Sequence, residues 1–398
     1  MSDSYTTVTT TSWFSRIGKS IVGVLVGLVL ILVMVVALWW NEGRAVQTAQ
    51  SLTEGAGAVV SVAADRVDPT YENRLVHVTG PVTSDTIPSD PDFAISAPGV
   101  RLQRSTEMYQ WIEEKKTETK TKVGGGEETV TTYSYSRGWA DEPKVSANFY
   151  RPDGHTNPPM EIMGKEVQIP EGRLSAFTLD TPVLDLIGGQ KQLPVDPARL
   201  AAIDAAYAGL KRVSVSEGRI YLGLNPTSPV IGDYRIGYEI VPLGDISVIG
   251  RQAGDRFAPY QTEAGDALLM VSSGNVPAET MFADAQSANT VVTWILRVVF
   301  LIVLAIAFGM IFAPLGVLAD VIPFIGSMVR MGTGLIAVLM AVLVGFATIA
   351  LAWFWYRPVL SLIIGAVGLA IALAIVYIGR ARRKAAPATA PAVPAQPA

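Results

Sequence analysis

The chain contains no cysteine. Disulfide frameworks, Cys-ligated zinc and thiol chemistry are thereby excluded, and any domain outside the cytoplasm must stand on packing alone. Only two histidines, His77 and His155, occur in 398 residues, so a multi-His metal cluster is excluded too. Charge is scarce: 17% of residues against roughly 25% in an average soluble domain. The net charge is −4, with no basic face to hold nucleic acid. G-x-S-x-G, H-E-x-x-H and Walker patterns are absent.

Long apolar runs stand where charge is missing. Residues 21–40, 298–319, 331–356 and 358–379 carry no Asp, Glu, Lys or Arg. Each reaches the roughly 20 residues that cross a ~30 Å hydrocarbon layer as a helix. The first run, preceded by Arg16 and Lys19, could be the apolar part of a signal peptide. It exceeds the roughly 7–15 residues of such signals, and Trp39-Trp40-Asn41-Glu42 is no small-residue cleavage site. It reads as a retained anchor. The expected fold class is an α+β membrane protein with four transmembrane helices, one N-terminal and three C-terminal. A large β-rich extracytoplasmic domain is inserted between the first and second spans.

Basic flanks set the direction. Arg16 and Lys19 precede the first span, and Arg380, Arg382, Arg383 and Lys384 follow the last, which places both termini in the cytoplasm. Trp39, Trp40, Trp294, Trp353, Trp355 and Tyr356 then share the outer interface, where such rings concentrate. The expected layout begins with a disordered cytoplasmic tail (1–19), a first span (20–40) and the outer domain (41–293). A second span (294–319), a cytoplasmic interfacial connector (320–330) and spans over 331–356 and 358–379 follow. A basic, Ala/Pro-rich cytoplasmic tail (380–398) closes the chain.

Within the outer region, residues 41–52 keep good helix formers and Gly55 and Gly57 offer a stop, so the first span should continue as a stalk. Residues 58–63 and 74–78 have the β-branched content of strands, and 86–99 reads as loop. Residues 118–123 and 128–135 flank Gly124-Gly125-Gly126 as a β-hairpin whose polar tip should project into solvent. That glycine triplet lacks the Gly-Lys-Ser/Thr ending of a phosphate loop. Asp196-Pro197 opens a helix with an apolar stripe of Leu200, Ile203, Ala206, Tyr207 and Leu210. Gly-Asp then recurs at 232–233, 244–245, 254–255 and 265–266, between strand-like segments that read as an antiparallel meander. No D-x-D-x-D-G ladder accompanies these pairs, so they are read as turns rather than calcium loops. Residues 277–287 should be helical and lead into the second span.

No catalytic, cofactor-binding or metal residue is assigned. His77 alternates with Val76 and Val78 as on a half-buried strand, His155 lies in a turn composition, and Glu113-Glu114 and Glu127-Glu128 sit in the polar hairpin. The candidates are membrane features. Gly23 and Gly27, and Ala366, Ala370 and Ala374, are small-residue faces that favour helix association. Glu42, Arg44, Arg297, Asp320 and Arg357 are interface or pore-mouth candidates. The connector region 313–331, broken by Pro314, Pro323 and Gly326, reads as an interfacial segment, with a pore-lining re-entrant loop as the alternative.

Several stretches carry a family resemblance: Asn41-Glu42-Gly43-Arg44-Ala45, Ser51-Leu52 with Glu54-Gly55, and Asn73-Arg74-Leu75-Val76-His77. Further on stand Glu107-Met108-Tyr109-Gln110-Trp111, Tyr133-Ser134-Tyr135, Gly232-Asp233 with Arg235, Gly254-Asp255, Gly265-Asp266 and Tyr356-Arg357-Pro358. In order and spacing they resemble the LUMA family (transmembrane protein forty-three) along nearly the whole chain. The resemblance implies four spans, a large non-cytoplasmic domain and a self-associating organiser of membrane complexes. Animal members of that family sit in the endoplasmic reticulum and inner nuclear membrane and contact lamins and emerin. The absent cysteine and Ala/Pro tail look bacterial, which would place this chain in a cytoplasmic membrane with its domain in the periplasm or outside. The expected partners are the lipid bilayer, further copies of the chain and other membrane proteins, with no nucleic acid. No cofactor is expected and no enzyme activity. The function expected first is a non-enzymatic scaffold. An oligomeric channel or transporter is the alternative, and a lipid-binding protein the second alternative.

Overall fold

The architecture follows from where apolar periodicity gives way to strand-forming sequence. A computed structural model describes residues 3–207, 212–359, 361–363 and 366, with side chains 204–207 left aside. Among the described residues, three helices are long and apolar enough to cross a membrane. The first, α1 (Trp13–Ala58), begins at Ser12, whose hydroxyl accepts from the Ser15 amide at 3.3 Å and so satisfies one free helix-end donor. It runs 46 residues without a break, about 69 Å at 1.5 Å per residue, so span and stalk are one rod. The second, α2 (Ala278–Ala319), and the third, α3 (Pro323–Tyr356), form an antiparallel hairpin closed by a three-residue turn at 320–322.

That tight turn corrects the expected interfacial connector. Pro314 stays inside α2, where packing against neighbouring helices tolerates a lost backbone bond, and Pro323 opens α3 at the position where it has no amide to lose. The bundle closes over Leu38, Leu304, Phe308, Ala337 and Ala341. The expected fourth span, 358–379, lies outside the described residues except for helical positions at 358–359, 361–363 and 366.

Among the described residues, two large sheets and two two-stranded ones form, chiefly from the chain between α1 and α2. The eight-stranded sheet carries a path from β1 (Ser4–Thr11) through β4 (Glu127–Ala140) and β3 (Arg101–Thr121) to β5 (Tyr234–Val241), then Arg219–Leu222 and Val213–Ser216. The seven-stranded sheet is built around β2 (Leu75–Thr83) and β6 (Asp245–Ala253), which pair antiparallel with Val78 opposite Val248. Each sheet has its own core. Phe93, Leu102, Met108, Ile203, Ile220 and Ile236 fill the first, and Val76, Val78, Leu174, Phe177, Leu179 and Val248 the second. A smaller cluster of Leu52, Leu75, Ile249, Leu268, Met281 and Phe282 fastens the second sheet to the upper ends of α1 and α2.

Two sequence expectations change here. The meander is interrupted, because Gly244-Asp245 carries the chain from the first sheet into the second: β5 pairs with β3, while β6 pairs with β2. The N-terminal tail, expected to be disordered, forms β1 and pairs antiparallel with β4 from Ser4 opposite Ser134 to Thr11 opposite Glu127. Its Thr, Tyr and Val content is poor in core-forming residues yet strand-forming once β4 offers an open edge. Asp3 consequently lies beside the sheets, its carboxylate 3.6 Å from His155. The helix expected at Asp196-Pro197 is present as a capped turn continuing into Leu200–Tyr207. Leu210 of its expected stripe lies outside the described residues.

Candidate functional site

The run Asn41-Glu42-Gly43-Arg44-Ala45 falls at the sheet-side end of the apolar part of α1, and each residue of it meets α2 or α3. Glu42 is 1% exposed. Arg297 of α2 donates to both its oxygens, Nε to Oε1 at 2.6 Å and Nη2 to Oε2 at 2.6 Å, and Trp353 Nε1 of α3 donates to Oε2 at 2.8 Å. One carboxylate thus ties together all three helices. The guanidinium lies 4.7 Å from the Trp294 ring centre and 5.8 Å from that of Trp353, so its faces are covered by aromatic surface as well.

The neighbouring residues extend this clasp. Arg44 donates to Asn289 Oδ1 at 3.1 Å and Thr293 Oγ1 at 3.0 Å, Asn41 Nδ2 donates to the Thr293 carbonyl at 3.3 Å, and Asn289 Nδ2 donates to the Ala45 carbonyl at 2.9 Å. Asn289, Thr293 and Arg297 are spaced four apart on α2, so they share one helix face. Gly43 is needed for closeness: a Cβ there would sit 2.7 Å from the Tyr356 ring. A cleft of ≈ 290 Å³ beside the clasp is lined by Ala45, Gln286, Trp294, Trp353 and Arg357, and a groove of ≈ 570 Å³ by Trp40, Gly43, Gln47, Trp355 and Tyr356.

A second polar cluster closes the far end of the bundle. Asp320, fully buried in the turn between α2 and α3, pairs with Arg16 Nη2 at 2.5 Å and with Arg330. Arg16 also pairs with Glu127 at 2.8 Å and donates to the Gly125 carbonyl. The Gly124 amide donates to the Val321 carbonyl at 3.1 Å, and Trp13 Nε1 donates to the Val317 carbonyl at 2.8 Å. The hairpin tip, expected to project into solvent, is therefore docked on the bundle. The Gly124 amide, the Gly125 carbonyl and the Glu127 carboxylate supply the donor and acceptors, which hydropathy alone does not reveal.

Of the five pore-mouth candidates, Glu42, Arg44, Arg297 and Arg357 meet at the clasp, while Asp320 lies at the opposite end. Gly27 is used within the chain, because a Cβ there would stand 2.7 Å from the Ala307 carbonyl oxygen, whereas Gly23 has only Met310 Cε at 4.0 Å. Ala366 is described as helical and exposed; Ala370 and Ala374 lie outside the described residues. Sequence reasoning missed Asn289 and Thr293, and it read Arg16 and Trp353 only as a basic flank and an interface ring. The four-residue spacing of 289, 293 and 297, where the polar start of α2 gives way to its apolar run, was the available signal.

In the sheets, polar groups are likewise held internally. Asp90 accepts from Arg104 Nη1 at 2.7 Å and from the Tyr238 hydroxyl at 2.7 Å. Burial works against the Arg104 charge, but the bond to Asp92 and the field of Asp90 outweigh it and raise its pKa, while burial and Asp90 push the Tyr238 phenol up. His77 is neutral-favouring: burial lowers its pKa, its Nε2–H donates to the Val276 carbonyl at 3.0 Å and Ser61 Oγ lies 3.1 Å from Nδ1. Asp233 accepts from the Tyr221 hydroxyl at 2.6 Å, and Asp266 accepts from Gln47 and Thr48 of α1, so these Gly-Asp aspartates act as turn and stalk fasteners. Among the described residues, no group of three His, Asp or Glu side chains is placed to hold a metal ion.

Three long apolar helices clasped by buried ion pairs, with a two-sheet unit mounted on their ends, define a membrane protein with a β-rich domain. The family model described as Transmembrane protein 43 matches residues 108–358, more than half of the chain. Transmembrane protein 43 of Mus musculus is 31% identical over 382 residues, covering 93% of this chain and 92% of its own, and the Homo sapiens protein matches to the same extent. The Drosophila melanogaster homolog is 29% identical over 276 residues, 68% of this chain and 71% of its own. The chain belongs to the Transmembrane protein 43 family. No solved structure matches it.

Proposed function

We propose that the chain is a non-enzymatic membrane scaffold that self-associates and presents a β-rich unit outside the cytoplasm, where other membrane proteins can meet it. The observation that carries this reading is the pair of clasps. At both ends of the bundle the strongly charged groups are consumed in internal bonds, Glu42 with Arg297 and Asp320 with Arg16 and Arg330. Such bonds hold a mount rigid and neutralise these five charged groups inside the bundle. The helix flanks are apolar, with Leu25, Leu32, Val36, Ile302, Leu335 and Leu343 exposed. Arg16 and Lys19 mark the hairpin-tip end as cytoplasmic by the positive-inside rule, which leaves the bodies of the sheets on the other side, and with them Asp3, so that the expected cytoplasmic N-terminus is corrected to the sheet side. Co-purification of two differently tagged copies tests self-association; copies that never co-purify from mild detergent overturn it.

An oligomeric channel is the second reading, favoured by one observation: the polar hairpin runs along the bundle to its far end instead of ending in the domain. Ion flux through reconstituted liposomes, compared with the Arg297→Ala variant, separates the two, and flux no greater than lipid alone removes the channel. A lipid-binding role rests on the groove beside Trp40, Trp355 and Tyr356, and bound phospholipid after purification would raise it.

A further inference from the structure

The three strands β1, β4 and β3 leave the body of the first sheet as an arm. From Tyr109 to Thr121, β3 extends about 40 Å at about 3.3 Å per residue. From Arg16 to Glu42, α1 rises about 39 Å at 1.5 Å per residue. The tip docks on Arg16 and Val321, so the arm covers the same height as the apolar part of the bundle. Its composition does not suit lipid. Residues 114–120 are exposed and read Glu-Lys-Lys-Thr-Glu-Thr-Lys, and β1 is largely exposed threonine.

The arm also has two open edges. Asn157 caps β3 at Trp111, accepting from its amide at 2.7 Å and donating to its carbonyl at 2.9 Å. Beyond that point, among the described residues, no strand pairs with the outer edge of β3, and none pairs with the outer edge of β1. Charged side chains are costly at bilayer depth, and open sheet edges do not occur facing lipid. Something polar and strand-like must cover this side of the bundle.

The geometry points to a second copy of the chain: β1 of one copy pairs in parallel with the free edge of β3, residues 113–121, in the next. This inference rests on self-association and specifies its surface. Copies in one membrane share one orientation, and β1 and β3 both run toward the tip because each is antiparallel to β4. Edges of different copies therefore meet only in parallel. Each chain brings one edge of each kind, so head-to-tail pairing leaves neither open in a closed ring. The lengths agree, eight residues in β1 against nine in 113–121. The charges agree as well: β1 has none, so Glu and Lys of β3 meet no like charge, whereas two β3 edges would set identical charges side by side. The arms would then gather around a shared polar interior, shielded from lipid by the bundles.

The absence of cysteine makes the test clean. Thr7→Cys is combined in turn with Lys115→Cys, Thr117→Cys and Thr119→Cys in the full chain, oxidised in its membrane and run on a non-reducing denaturing gel. Within one chain Thr7 and Thr117 both oppose Thr131, on either side of it. They lie two strands apart, about 9.5 Å, beyond the roughly 7 Å Cα separation a disulfide spans. A covalent ladder of dimers, trimers and larger species in at least one register, absent from each single variant, is the expected result. Thr7→Cys with Thr131→Cys serves as control and should close within one chain, showing that the arm is formed. No ladder in any register, dimers from Thr7→Cys alone, or a control that fails to close would each overturn the inference. If tagged copies co-purify while the ladder is missing, the arm contact falls and self-association stands; if they do not co-purify, both fall.

Discussion

Glu42→Gln should be among the most damaging single substitutions outside the sheet cores. The side chain keeps its shape, but its charge disappears opposite Arg297, whose side chain is only 11% exposed and lies against Trp294 and Trp353. Removing one partner of a buried ion pair leaves the other charge uncompensated and costs about 3–5 kcal/mol, against at most about 1 kcal/mol for an exposed pair. The Trp353 indole bond to the same carboxylate weakens too, so α3 should loosen along with α2. Denaturant unfolding of the full chain in mild detergent measures the loss. A double-mutant cycle with Arg297→Gln isolates the pair, and the double variant should lose much less than the sum of the singles. Replacing both residues by leucine should recover most of the stability, because apolar substitutes for a buried pair are often neutral or better. Losses below about 1 kcal/mol that simply add would place Glu42 and Arg297 among exposed pairs and refute the clasp.

Three further outcomes follow from the same geometry. Gly27→Ala should destabilise the bundle by about 1–3 kcal/mol through overpacking against the Ala307 carbonyl, while Gly23→Ala, with its nearest neighbour at 4.0 Å, should be tolerated; the two unfolding midpoints compare them directly. His77 is held below its ordinary 6.5, chiefly by burial. Because the unfolded chain binds the proton first, the stability it contributes is complete above that value and lost as pH falls through the lowered folded pKa. Unfolding midpoints between about pH 8 and about pH 5 should therefore fall in the parent and fall less in His77→Gln. Asp320→Asn should release the hairpin tip, seen as faster hydrogen exchange at the Gly124 amide, whose bond to Val321 the docked tip maintains.

The helices were legible because an uncharged apolar run has few alternatives, and the stalk because good helix formers continue past Trp40 without a break. The hairpin was legible from the glycine triplet between β-forming runs. What it touches was not: Arg16 and Asp320 are 304 positions apart, and neither shows by its flanks that the other exists. The N-terminal strand was missed for a related reason, since a run of threonines has no core-seeking pattern and becomes a strand only on the edge of β4. Pro314 and Pro323 were given too much weight as breakers, because one is supported by neighbouring helices and the other stands where a helix begins. The clasp was half visible. Glu42, Arg44, Arg297 and Arg357 stood out as ionisable groups at span ends, but the pairing of Glu42 with Arg297 and the seating of Arg44 on Asn289 and Thr293 depend on how α1 lies across α2 and α3.

Native mass spectrometry of the full chain released from mild detergent tests the central claim most directly. A scaffold that self-associates should appear as a discrete multiple of the 42.5 kDa chain, with a single dominant stoichiometry. A particle of one chain at every protein concentration would contradict the account.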